Sequence, residues 1–253
     1  MSDAARDLLH RRIAVAEEIC GFAASLAVQA NVGIRERGLQ LRRKDSVLIG
    51  LALKIDSSFR ALINDCKAER SEAMHHLKTM AECLIYFYAV LEDPSDATER
   101  RLLAKAFHEE ARFFKDNPGE GDASEVTELE ALRDRLLAGP PLIAPLPNLE
   151  TLAKAPQVGV GGFYSRVYRM ACEPAHIGDL LEYMPEDGVP IRLGAPGDFA
   201  PGRAREAIWY GSQIVLAVMR SICEHSELGL QVPVDELERS LRDAGNPDPG
   251  ATA

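Results

Sequence analysis

The 253-residue sequence has no C-x-x-C pair, and its five cysteines (Cys20, Cys66, Cys83, Cys172 and Cys223) are odd in number. Neither a disulfide framework nor a zinc site is indicated, and the thiols read as reduced core residues of a cytoplasmic protein. No apolar signal core opens the chain, and the longest apolar run, Cys83 to Leu91, is far short of the roughly 20 residues that span a bilayer. The expectation is a chain with no membrane segment. G-x-S-x-G, H-E-x-x-H and G-x-G-x-x-G are all missing, and VGVGG (158–162) lacks the context of a phosphate loop, so it reads as a turn. No cofactor and no metal are expected, and no repeat of solenoid length is visible. Positive charge is also in deficit: 29 Lys plus Arg against 39 Asp plus Glu gives a net charge of -10, which disfavours general nucleic-acid binding.

What is present is helical patterning. Cys66 to Leu91 holds no Gly or Pro, and Ala73, Met74, Leu77, Met80, Ala81, Leu84, Ile85, Tyr88 and Leu91 recur at three- and four-residue spacing, which predicts a long central helix. Beside that face runs a polar row of Ser71, His75, Lys78, Glu82 and Tyr86. The helix becomes apolar nearly all round from Cys83, so Glu82 enters the core and must be paired or protonated, with Lys78 one turn behind it.

Further helices are predicted over Asp3 to Asn31, from Asp45 or Ser46 to Asn64, over Asp96 to Lys115, Glu125 to Ala138, Leu149 to Lys154 and Phe163 to Met184, then over Ala204 to His225 and Val234 to Leu241. A Ser or Asp is expected to cap the helix after Leu91. Pro174 should kink the Phe163 helix. The expected fold is all-α, an irregular bundle of seven to nine helices around the central one. Residues 1–40 are read as an N-terminal helical arm or dimer element, 41–243 as a single helical domain and 244–253 as a disordered tail. Arg35, Arg37, Arg42, Arg43 and Lys44 form the one basic cluster, read as a solvated loop.

Three stretches together carry a resemblance: LKTMAECLIYFYAVLEDP (77–94), PLPNLETLAKA (145–155) and YRMACEPAH (168–176). They resemble a bacterial family known as domain of unknown function number 5677, over roughly Leu41 to Leu230. This chain has Lys78 where the family has Arg, and Cys172 where it usually has Ser. A lysine cannot form the bidentate pair that an arginine would make with Glu82. The resemblance implies an all-helical fold and no established activity.

Candidate site residues follow from spacing. Tyr164, Tyr168, Cys172 and His176 are four apart and share one row of a continuous helix. A Cys and a His on adjacent turns can form an activated thiolate pair. Alternatively, Tyr168 and His176 hydrogen-bond within the core while Cys172 packs. Arg169 with His176 fits the loose Arg-to-His spacing of HEPN-type ribonucleases, in which Arg holds phosphate and His assists 2'-hydroxyl attack; other Arg and His pairs in the chain fit it too. Glu72 with His75 and Glu173 with His176 have the E-x-x-H spacing of di-iron bundles, but chance pairing explains them as well. The catalytic candidates are therefore His176, Arg169 and Tyr168, and the binding candidates Lys78, Glu82 and Cys172. The reading is a regulatory or interaction protein with a polar pocket between core helices and an unidentified protein or small-molecule partner. The alternative is a HEPN-like, metal-independent ribonuclease.

Overall fold

The computed structural model describes residues 3–38, 41–70, 72–117, 119–138, 146–172, 201–225 and 232–245. The fold is all-α, as the patterning predicts, with no strand among the described residues. In chain order the elements are α1 (Asp3–Arg37), α2 (Arg43–Lys67), α3 (Ala73–Leu91), α4 (Ala97–Asp116), α5 (Ala123–Leu137), α6 (Leu149–Lys154), α7 (Gly161–Phe163), a π turn (Tyr164–Tyr168), α8 (Arg169–Cys172), α9 (Pro201–His225) and α10 (Val234–Gly245). The chain forms two compact units, unit 1 from Met1–Gln40, Leu51–Leu84 and Gly162–Ala253, and unit 2 from Leu41–Gly50 and Ile85–Gly161.

In unit 1, α1 packs on α9 and α10, and its Leu9, Ile13, Ala16, Ile19 and Cys20 are buried at the spacing of one helical face. Arg12 extends this contact: its Nη1 donates to the Arg205 carbonyl at 2.9 Å while its guanidinium lies 5.1 Å from the Trp209 ring centre, a cation–π arrangement. Beyond Leu26 none of the residues of α1 whose burial is described is buried, although the helix continues to Arg37. By length and composition, Arg6–Glu36 is long and apolar enough to cross a membrane, a test that the core helix of a soluble protein also passes. The part of α2 in this unit reaches α9 at Gly211, where a Cβ would sit 3.2 Å from the Phe59 ring, so glycine there permits the close approach.

The predicted start of the central helix at Cys66 is displaced. Cys66 is buried on α2, and the chain turns before α3 begins at Ala73. Glu69 makes the break with φ 53, a left-handed conformation that a non-glycine residue adopts at a cost. Sequence gave no warning because the turn contains neither Gly nor Pro. Polar bonds hold it instead: the Arg70 N–H donates to the Asp65 carbonyl at 2.8 Å, and the Asp65 carboxylate pairs with His76 at 3.1 Å and Arg70 at 3.7 Å.

Unit 2 is built on the corner between α3 and α4. Lys44 Nζ donates to the carbonyls of Leu91 (2.9 Å) and Asp93 (2.8 Å), filling acceptors that the end of α3 leaves open. The expected Ser or Asp cap is divided between two residues: Asp96 makes no capping bond with its side chain, whereas the Asp93 carboxylate accepts the Thr98 N–H at 2.9 Å and the Ser95 N–H at 2.8 Å, and Ser95 Oγ accepts the Ala97 N–H at 3.2 Å. Much of the basic connector is therefore engaged within the fold: besides Lys44, Arg42 pairs with Asp45 at 2.9 Å and Arg43 with Asp96 at 3.8 Å. Arg100, almost fully buried, donates through Nε to the Leu136 carbonyl at 2.8 Å and joins α4 to the end of α5. Asp122 and Glu125 form a reciprocal capping box at the start of α5.

Candidate functional site

The site begins where helix geometry is interrupted. After Gly161 and Gly162 the chain enters a helix whose Tyr164–Tyr168 segment is wound as a π turn, so that the Arg169 N–H returns to the Tyr164 carbonyl five residues back. Such widened turns appear mostly as single insertions and often at functional positions. Val167 and Ala171 are buried and anchor this segment, while Tyr164, Tyr168 and Cys172 are half-buried along its other side. The Tyr164 and Tyr168 rings stack with centres 5.0 Å apart.

Tyr168 is the best-connected of the candidates among the described residues. The Cys172 side chain and, electrostatically, Glu82 of α3 both act on its hydroxyl. Burial first, then Cys172, Glu82 and Tyr164, push the phenol well above its usual range, so it stays protonated as a donor. Tyr168, Cys172 and Glu82, three of the six residues singled out from sequence, thus influence one another electrostatically. Lys78 is half-buried one turn before Glu82, and among the described residues no ion pair joins the two. Arg169 is exposed on α8. His176, Pro174 and Glu173 lie outside the described residues.

Other groups weighed from sequence serve different ends. Glu72 and His75 of the first E-x-x-H are exposed, and no group of three or more metal-capable side chains occurs among the described residues. The neighbouring His76, which spacing did not single out, is the one that pairs with Asp65. Burial pushes the thiols of Cys20 and Cys83 up to about 11 and that of Cys66 to about 12, which keeps them protonated and unreactive near neutral pH. The π turn was not legible in advance: YSRVY has no proline, and its four-residue row fits a continuous α-helix equally well.

What this arrangement offers chemically is a half-buried protonated phenol, a donor, within the electrostatic reach of a half-buried glutamate, an acceptor, and of a thiol. No curated protein and no solved structure matches the chain. A family profile described as Family of unknown function (DUF5677) matches residues 45–188, from the start of α2 through Glu82, the π turn and Cys172, although not as far as the expected Leu230. With more than half of its 253 residues matched, the chain belongs to this family.

Proposed function

We propose that this protein is a regulatory or interaction protein whose polar cluster in unit 1, Glu82 with Tyr168 and Cys172, binds a small polar ligand. The observation that carries the reading is the half-buried Tyr168 phenol, held protonated beside Cys172 and within the field of the Glu82 carboxylate on a π turn. A carboxylate accepts and a phenol donates, so the pair suits a ligand with an amine or amide group rather than a phosphate, which Glu82 would repel. Half-burial leaves the cluster reachable while lowering the competition from water.

Thermal melting against amino acids, amines, amides and nucleotides tests this. An amine- or amide-bearing compound should raise the melting temperature of the wild type but not of the Tyr168→Phe, Glu82→Gln double variant. The reading fails if no compound does so, or if the double variant responds equally. Exposed Arg169 supports the ribonuclease alternative, since a phosphate-binding arginine must be accessible. Metal-independent cleavage of single-stranded RNA, lost in both Arg169→Ala and His176→Ala, would replace the first reading with that one.

A further inference from the structure

We infer that the distal half of α1 is a self-complementary seam on which two copies of this chain pair as antiparallel helices. Glu18, Gly21, Ser25, Val28, Val32 and Arg35 are all exposed. They are separated by three, four, three, four and three residues, the spacing of a coiled-coil seam. Val28 and Val32 are 62% and 46% exposed, an unusual burden for two branched apolar side chains on one stripe of one helix. The opposite face of α1 is already occupied by the contact of Leu9, Ile13, Ala16 and Ile19 with its own fold.

Charge fixes both orientation and register. From Ile19 to Ile34 the sequence has no Asp, Glu, Lys or Arg, and the seam is closed by Glu18 at one end and Arg35 at the other. Parallel pairing would set like charges against each other. Antiparallel pairing about a two-fold axis between Ser25 and Val28 sets Glu18 against the partner's Arg35, Gly21 against the partner's Val32 and Ser25 against the partner's Val28. Each small residue then faces a valine, each acid faces a base, and the two-fold repeats every contact, as an isologous interface requires. Glu17, next to Glu18, is already engaged by Lys67 at 2.6 Å, so Glu18 is the acid that faces outward for a partner.

A lipid bilayer is the competing occupant, since α1 is long and apolar enough to cross one. The charge-free stretch disfavours it: 16 residues at about 1.5 Å each reach about 24 Å, short of the roughly 30 Å hydrocarbon core. Gln29 and Asn31 are also exposed on it.

Sedimentation velocity of the full chain over a concentration series gives the test. The wild type should show a monomer–dimer equilibrium, weakened about tenfold or more by Val28→Asp, equivalent to about 1.4 kcal/mol. Glu18→Arg and Arg35→Glu should each fail to self-associate, while their equimolar mixture forms a heterodimer, because each variant supplies the charge the other lacks. Gly21→Leu separates pairing from folding: a Cβ at this position meets nothing within 4 Å, so the variant should keep or raise its melting temperature while losing the dimer. A wild type that stays monomeric, a dimer indifferent to Val28→Asp and both charge reversals, or capture of the wild type by phosphatidylcholine vesicles in place of dimerisation would each overturn the inference.

Discussion

The corner between α3 and α4 and the π turn before α8 are both places where regular helix stops, and they use polar side chains in opposite ways. At the corner, Lys44, Asp93 and Ser95 reach backbone atoms: Lys44 fills the last carbonyls of α3, and Asp93 and Ser95 receive the first N–H groups of α4. At the π turn, Tyr168 is acted on by the side chains of Cys172 and Glu82. Every helix end leaves obligatory backbone groups that must be satisfied, so polar groups spent on them are committed to the fold. Side chains that satisfy one another are under no such obligation, and a ligand can replace one of the partners. The comparison therefore separates a structural polar cluster from a candidate functional one.

The corner should be costly to damage. Arg100 is the most buried of its cations and leaves the Leu136 carbonyl without its donor when removed, so Arg100→Met should lower unfolding stability by about 2 to 3 kcal/mol in denaturant melts. A loss below about 0.5 kcal/mol would show that water replaces it freely.

Asp93→Ala removes the acceptor of the Thr98 and Ser95 N–H groups and should cost about 1 to 2 kcal/mol near neutral pH. The effect carries a pH signature. Burial alone would raise the Asp93 carboxyl, but the hydrogen bonds from Thr98 and Ser95 outweigh it and hold it below the ordinary aspartate range. A carboxyl depressed in the folded state contributes stability above its unfolded pKa and loses it as pH falls through the folded one. The gap between wild type and Asp93→Ala should therefore close on acidification, and a gap that stays constant with pH would contradict this.

The π turn should tolerate the equivalent damage. Tyr168→Phe removes one hydroxyl from a half-buried pair and should cost about 0.5 to 1 kcal/mol, less than either corner variant, while abolishing any ligand-induced rise in melting temperature. The central-helix pattern alone suggests a loss of about 3 to 5 kcal/mol for Glu82→Ala, as for a buried charge stripped of its partner. With Glu82 half-buried, a loss under about 1 kcal/mol is now expected. A loss above about 3 kcal/mol would move the cluster into the structural class and remove the basis of the proposed site.

The smallest effect concerns the α2–α3 turn, a third interruption. Glu69 is exposed and left-handed, so Glu69→Gly should relieve strain and raise stability by about 0.5 kcal/mol despite the extra freedom of the unfolded chain. Unchanged or lower stability would mean that the Asp65 pairs already compensate fully.

Helices announce themselves through apolar spacing, which is a local property, and so the all-α class and the buried face of α3 could be read from residues alone. The same spacing placed Glu82 and Tyr168 on faces committed to the interior, and so made them candidates. It could not tell that Cys66 belongs to α2, because a left-handed Glu69 stabilised by Asp65, Arg70 and His76 depends on partners brought together by the turn itself. Nor could it reveal the π turn, since YSRVY satisfies α and π winding alike. The sequence by itself determined which faces are apolar, where charge is missing and which polar residues intrude. Only the tertiary structure decided which of those polar residues close helix ends, which meet each other, and which stretch of α1 is left without cover, because each of those outcomes depends on residues distant in the chain.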